Sequence, residues 1–236
     1  EAVIDDTGPR WQNDNAGSQV IIPWLERKQS RLKQGILSHN HLDHTGGLQA
    51  ITQRWPAAEV RSALADKTHL PCVRGTQWRW RKLHFRVVWP LTNPLAGGNN
   101  DSCVIIVDDG QVRLLLTGDI EAKAERQLVA LEKQGLKADI LQVPHHGSRT
   151  SSTSLLLRKT EGHTAIASLA RYNAWRMPAK NVLENYRTAG FQWLDTGQSG
   201  QISIRIEQGR VQVFTLREQL MPRWYHQWFG VKRESR

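Results

Sequence analysis

The chain has 236 residues, with 32 Lys and Arg against 22 Asp and Glu, a formal charge of +10. That length holds one large domain or two small ones, and no apolar run reaches the roughly 18 residues that a membrane-crossing helix needs. The positive balance favours polyanions such as nucleic acid, or an anionic lipid surface, over small neutral ligands. Two cysteines, Cys72 and Cys103, exclude a disulfide framework and a C-x-x-C zinc site, and leave open one bridge or two buried thiols.

In chain order, Ala2-Val3-Ile4-Asp5-Asp6 is strand-like. Ser18 is placed to cap a helix through Val20, Ile21, Ile22, Trp24 and Leu25, whose apolar side chains recur at helical spacing. Ile36-Leu37-Ser38 reads as a short buried strand, followed by S-H-N-H-L-D-H-T-G-G-L and a helix from Gly46 to Trp55 that Pro56 stops. Between Gln77 and Pro90, Trp78, Trp80, Phe85, Val87 and Val88 interleave with Arg79, Arg81, Lys82 and Arg86, the pattern of a twisted β-hairpin with one apolar face. Val104–Val107 and Val112–Leu116 form a second hairpin around Asp109-Gly110. Glu121 to Gln134 is an amphipathic helix with Ala124, Leu128 and Leu131 on one face, ended by Gly135. Strand Ile140–Val143, a helix near Ser154–Arg158, strand Ala165–Ser168, a helix Pro178–Ala189 with proline near its first turn, and strands Gln201–Glu207 and Val211–Leu216 follow. The order divides into one domain over residues 1–218 and a basic aromatic C-terminal tail over 219–236. The tail, Pro222 to Phe229 with Lys232, Arg233 and Arg236 behind, reads as tryptophans packed on the domain, or as a surface for bases or membrane. Alternating short strands and helices in two broadly similar halves predict an α/β layered fold.

Imidazole and carboxylate bind borderline divalent cations. His39, His41, Asp43 and His44 place four such groups within six residues. From an extended turn, His39 and His41 point one way while Asp43 and His44 reach a second position, which suits two adjacent cations. Downstream, L-L-L-T-G-D ends a buried strand at Asp119, and D-I-L-Q-V-P-H-H-G-S ends another at His145 and His146. Polar residues at the ends of apolar strands are placed to face a site. Each signal alone has a plain alternative: surface histidines, a turn aspartate capping the next helix, incidental loop histidines. In this order they point to a metal centre. Ser148, Ser151 and Ser152 are read as the cap of the next helix or as hydroxyl donors to a phosphate. Arg79 and Arg81, on the polar face of the first hairpin, are candidate phosphate contacts.

H-x-H-x-D-H followed by T-G-D and a late histidine resembles the metallo-β-lactamase superfamily. The wording D-D-T-G, S-H-x-H-x-D-H-x-G-G-L, N-N-D-S-C-V, L-L-T-G-D-I-E and V-P-H-H-G-S-x-x-S-S runs from about Val3 to about Ile206. It resembles the C-terminal domain of ComEC-type competence proteins, which are inner-membrane DNA-uptake channel proteins. The first motif marks only the superfamily; T-G-D-I-E together with H-H-G-S is more specific. The resemblance implies an αββα sandwich lacking its first strand or strands, as in a piece cut from a longer protein. It implies a nuclease that degrades the non-transported strand during transformation, on the periplasmic side of the inner membrane. Its partners would be DNA, the remainder of a polytopic channel and other competence proteins. The cofactor would be one or two divalent ions, manganese or zinc before magnesium. His39 and His41 would hold one metal, Asp43 and His44 the other, and Asp119 both. His145 would be the late ligand with His146 close behind as a catalytic group, and Asp43 is the alternative residue to orient the attacking water. Two ions about 3.5–4 Å apart suit a phosphodiester, because attacking and leaving oxygens are both held. The branch also carries cysteines at both positions found here.

Two departures matter. Many superfamily members supply another histidine before T-G-D, yet residues 85 to 118 contain none, and Asn99-Asn100-Asp101-Ser102 stands there instead. An oxygen ligand at that place shifts preference from zinc toward manganese or magnesium. Arg171-Tyr172 is present, but Met177 precedes Pro178 where the family often has histidine, and His163 is too distant in sequence to replace it. These departures keep open a catalytically degenerate module that guides DNA. Another hydrolase on the same fold is the remaining alternative.

Overall fold

A computed structural model describes residues 1–64, 66–92 and 97–221. The aromatic basic tail from residue 222 onward lies outside them. The chain divides into two compact units: Glu1–Trp78 with Arg86–Ile105 and Gly118–Ile120, and Arg79–Phe85 with Ile106–Thr117 and Glu121–Arg236.

The first unit holds a four-stranded parallel sheet of β1 (Ala2–Asp5), β2 (Leu32–Leu37), β3 (Glu59–Ser62) and β4 (Leu70–Pro71), in that order. A parallel sheet needs cover on its faces. Helices α1 (Ile22–Arg27) and α3 (Leu48–Arg54) supply part of it: Leu25, Leu32, Ile51 and Trp55 form a buried cluster backed by Ala2, Ile4, Ile21, Ile22 and Ala58. Helix α2 (Leu42–Thr45) is a single turn. Two expectations shift here. The turn before α1 is capped by Asn15, whose Oδ1 accepts the Ser18 N–H at 2.9 Å, while the Ser18 hydroxyl donates to Asp14 at 2.6 Å. The helix expected from Gly46 to Trp55 is α3, which starts two residues later; at Gly46 and Gly47 the backbone of Arg10, Thr7 and Gly17 packs where a Cβ would sit. Cys72 and Cys103 form a disulfide with Cα atoms 5.8 Å apart, which decides the alternative left by composition.

The second sheet has seven strands, each contributing residues to the second unit: β5 (Gln77–Trp80), β6 (Leu83–Trp89), β7 (Val104–Asp108), β8 (Arg113–Leu116), β9 (Ile140–Gln142), β10 (Thr164–Ala167) and β11 (Gln192–Asp195). They lie in that order, and β8 to β11 are parallel. Helix α4 (Ala122–Glu132) follows β8, α5 (Ser154–Thr160) follows β9, α6 (Lys180–Thr188) follows β10, and the short α7 (Thr196–Ser199) follows β11. β12 (Ile202–Glu207) and β13 (Arg210–Thr215) form a separate antiparallel ribbon. Leu131 is 38% exposed, contrary to the expected face; Ala124, Glu125, Leu128 and Val129 are the buried residues of α4. Lys133, at φ +49°, ends that helix two residues before Gly135. Thr153 caps α5 through its side chain, which accepts the Leu156 N–H at 3.3 Å, so the cap falls one residue beyond the serines. Pro178 precedes α6 rather than sitting in its first turn; Ala179 is the capping position. Among the described residues no helix is long and apolar enough to cross a membrane.

Candidate metal centre

β1 and β2 are parallel neighbours, so both deliver their following loops to one edge of the first sheet. Asp6 leaves β1 at φ +59° and Ser38 leaves β2. The Asp6 carboxylate joins the two loops. One oxygen accepts the Ser38 N–H at 2.7 Å; the other accepts the Ser38 hydroxyl at 2.8 Å and lies 2.6 Å from His44 Nδ1. Thr7 completes the latch, its N–H and hydroxyl donating to the His44 carbonyl at 2.7 and 2.9 Å. With Nδ1 engaged by a carboxylate, the His44 ring directs Nε2 toward Asp119 Oδ2 at 3.2 Å and Asp43 Oδ2 at 3.6 Å. Such a carboxylate–histidine pair fixes the ring of a metal ligand.

Asp119 enters from the end of β8 through Thr117 and Gly118. Gly118 has φ +52°, and a Cβ there would come within 2.8 Å of the Ser102 and Ser38 side chains. The Asp119 N–H donates to Ser102 Oγ at 3.0 Å, and that hydroxyl donates to the Asn99 carbonyl at 2.7 Å. The same Asp119 Oδ2 lies 3.9 Å from Nε2 of the fully buried His39, and His39 Nε2 lies 3.0 Å from His41 Nδ1. The structure thus gathers His39, His41, Asp43, His44 and Asp119 in the first unit.

The chemistry of this set fits a divalent cation. Asp43, His44 and Asp119 each offer one atom within 4.8 Å of the others. The carboxylates of Asp43 and Asp119 converge on the Nε2 side of His44, where a positive ion would relieve their repulsion. Asn99 Oδ1 is buried without a hydrogen-bond partner, an acceptor-only atom in the turn that supports Asp119. Burial, reinforced by the charge of His44, pushes His39 down to about 4 against the opposing pull of Asp119. Burial also opposes charge on His44, but Asp119 and Asp6 outweigh it and hold that imidazole up at about 11.

In the second unit, His145 and His146 are consecutive residues at φ +48° and +54°, a conformation seldom adopted outside glycine. His146 Nδ1 donates to the Ser168 carbonyl at 2.6 Å, which leaves Nε2 as the nitrogen with the lone pair in the neutral ring. His145 Nδ1 lies 3.3 Å from Thr150 Oγ1 and 3.4 Å from Glu121 Oε1. The Thr150 hydroxyl donates to Glu121 at 2.8 Å, so the T-G-D-I-E and H-H-G-S segments are cross-linked. Ser148 bonds Thr150, Ser151 bonds the Pro144 carbonyl, and Ser152 meets Tyr186, all contacts within the loop or its support. Arg79 and Arg81 are exposed on the first hairpin, Arg81 lying 5.3 Å from the Trp80 ring centre. Asp6, Thr7 and Ser38 have no role legible in the sequence, and Ser102, in the segment expected to offer an oxygen ligand, instead supports the Asp119 backbone. Their only trace is the D-D-T-G wording and the serines beside H-x-H and N-N-D.

The family model for the metallo-beta-lactamase superfamily matches residues 1–171. The chain belongs to the metallo-beta-lactamase superfamily. This metallo-beta-lactamase domain is 48% identical to protein YcaI of Escherichia coli (strain K12), over 98% of the chain and 31% of that protein. It is 34% identical to Recombination protein 2 of Haemophilus influenzae, over 99% of the chain and 30% of that protein. It is 31% identical to Competence protein ComA of Neisseria gonorrhoeae, over 86% and 29%. The domain therefore spans about a third of the length of these relatives. The resemblance to ComEC-type competence proteins is borne out over most of the chain, and the fold is the metallo-beta-lactamase fold with mixed α/β sheets.

Proposed function

We propose that this domain is a metal-dependent nuclease of a competence DNA-uptake protein, hydrolysing phosphodiesters of the strand that is not transported. The carrying observation is the convergence of Asp43, His44 and Asp119, beside His39 and His41, in a chain of charge +10. When bound, a divalent ion supplies Lewis acidity toward a phosphodiester oxygen and lowers the pKa of water. The chain's residues do the remainder. Asp6 fixes the His44 ring, while Ser102 and Gly118 fix Asp119. His39, held neutral, is ready to ligate at neutral pH, whereas His44 must give up its Nε2 proton to the incoming ion. Asp43, with its side chain 55% exposed, is the carboxylate placed to orient water for attack. Of the late pair, His146 has the tautomer that a ligand needs, whereas His145 is engaged by Glu121 and Thr150.

Three imidazoles and two carboxylates form a mixed donor set that suits manganese or zinc, with magnesium the third candidate. Excess positive charge attracts the phosphate backbone without reading bases. The names Recombination protein 2 and Competence protein ComA support a place in a competence protein, and the proposal extends this to an inner-membrane uptake protein with DNA, the channel and other competence proteins as partners. The Cys72–Cys103 bridge supports the periplasmic side, where disulfides persist. The test is a panel: DNA, a thioester, a lactam and small chromogenic phosphoesters, each with the same ion. Turnover of DNA alone supports the nuclease; turnover of a small substrate without DNA cleavage overturns it. The missing histidine in residues 85 to 118 and Met177 before Pro178 favour a second reading, a DNA-guiding module whose DNA binding survives chelation and which cuts nothing.

A further inference from the structure

In the second unit, the loop over residues 168–179 carries Tyr172, 80% exposed, and Trp175, 78% exposed, the most exposed large hydrophobic side chains among the described residues. Arg171 and Arg176 flank them, and the Arg171 guanidinium lies 5.6 Å from the Tyr172 ring centre. Leaving rings of this size in water forgoes the burial that aromatic side chains normally obtain. The loop itself is tightly held. Asn173 Nδ2 donates to the carbonyls of Ala170 at 3.0 Å and Met177 at 2.7 Å, and Asn173 Oδ1 accepts the Met177 N–H at 2.8 Å. The Arg176 N–H returns to the Asn173 carbonyl at 3.2 Å. Leu169 is clasped by Thr196, which accepts its N–H at 2.8 Å and donates to its carbonyl at 2.9 Å. The rings are thus presented outward by a closed turn, and little conformational entropy remains to be lost on binding. Its first residue, Ser168, is the one whose carbonyl orients His146.

We propose that this loop is a stacking platform for the unpaired bases of a single-stranded nucleic acid, with the exposed Arg176 placed for its phosphates. The inference rests on the nuclease reading and names the form of substrate it takes. Aromatic faces stack on any base and require that base to be unpaired. A guanidinium group matches phosphate geometry with paired donors. A lipid surface attracts the same residue types, but the link from Ser168 to a histidine of the H-H-G-S motif ties this loop to the chemistry.

The experiment uses the full chain in EDTA, with fluorescence anisotropy of a labelled oligothymidylate and of a blunt duplex of equal length. Tyr172→Ala and Trp175→Ala should each weaken single-strand binding about tenfold, the scale of one base–aromatic stack, with little change on the duplex. Tyr172→Phe and Trp175→Phe, which keep a ring, should retain binding. Unchanged single-strand affinity in the double alanine variant overturns the proposal, as does equal loss on the duplex. Loss of binding to phosphatidylglycerol vesicles with oligonucleotide binding intact also overturns it and assigns the loop to a membrane. Chelated protein is read by binding alone. A domain that never cuts DNA but loses single-strand affinity in these variants therefore defeats the nuclease reading and leaves the platform standing.

Discussion

Replacing Asp6 with alanine removes none of the proposed ligands, yet it should weaken metal binding. The carboxylate accepts the Ser38 N–H at 2.7 Å and the Ser38 hydroxyl at 2.8 Å, and it holds His44 Nδ1 at 2.6 Å. Ser38 is fully buried, so truncation strands its N–H away from water. An abandoned buried donor costs about 1–3 kcal/mol. The Ser38 hydroxyl has a substitute partner in His39 Nδ1 at 3.0 Å, so the N–H dominates the loss. With the weakened His44 contact added, the expected destabilisation is about 2–4 kcal/mol, read from urea unfolding. Separately, His44 loses the group that fixes its ring. Such outer partners are worth about 10–100-fold in metal affinity, or about 1.4–2.8 kcal/mol, read by calorimetric titration with Mn²⁺ and Zn²⁺ where the variant is folded. Asp6→Asn separates the two effects. Its amide oxygen keeps the Ser38 N–H bond, but its NH₂ group faces His44 Nδ1 and favours the Nε2–H tautomer, which does not ligate. Stability should therefore recover more than metal affinity. A folded Asp6→Ala protein that binds both ions as tightly as the parent would refute this reasoning.

Gly118→Ala places a methyl group at φ +52° against Ser102 and Ser38; the backbone alone costs about 1–2 kcal/mol. Thermal unfolding and metal titration should both worsen, and parent-like values in both would contradict the tight fit around Asp119. Cys72 and Cys103 close a separation of 31 residues, a loop whose cross-link contributes about 3–4 kcal/mol in the chain-entropy account. The Cys72→Ala/Cys103→Ala protein should lose most of that in denaturant unfolding, and a loss below about 1 kcal/mol would count against the account. Glu125 accepts the Ser152 and Thr153 N–H groups, the latter at 2.8 Å, yet burial, its largest influence, pushes its carboxyl above the usual 4.5. A raised folded-state pKa gives stability that is present below about pH 4.5 and is lost as pH rises through the folded value. Urea midpoints should show the parent losing stability relative to Glu125→Gln from acid toward neutrality; a difference constant with pH is the contrary result.

The strands that lead to the centre were legible because each couples an apolar run to a polar tip: Ile36-Leu37 before Ser38-His39, Leu114 to Leu116 before Asp119, and Ile140 to Gln142 before His145. The hairpin at Asp109-Gly110 was legible from its turn residues. Contacts made across long stretches of chain were not. Asp6 and His44 are 38 residues apart, and no periodicity records their bond. The close packing at Gly46-Gly47 depends on how nearly residues 7–17 approach, and the exposure of Leu131 on which side of α4 the unit covers. The cysteine alternative was settled only by the approach of two Cα atoms to 5.8 Å, which spacing does not encode.

The measurement that bears most directly on the central claim is cleavage of end-labelled single- and double-stranded DNA with Mn²⁺, Zn²⁺ or Mg²⁺, beside Asp43→Ala and Asp119→Ala proteins of confirmed fold. The expected result is cutting that requires the ion and disappears in both variants. Cutting that persists in them, or DNA that is bound and never cut with any of the three ions, would contradict it.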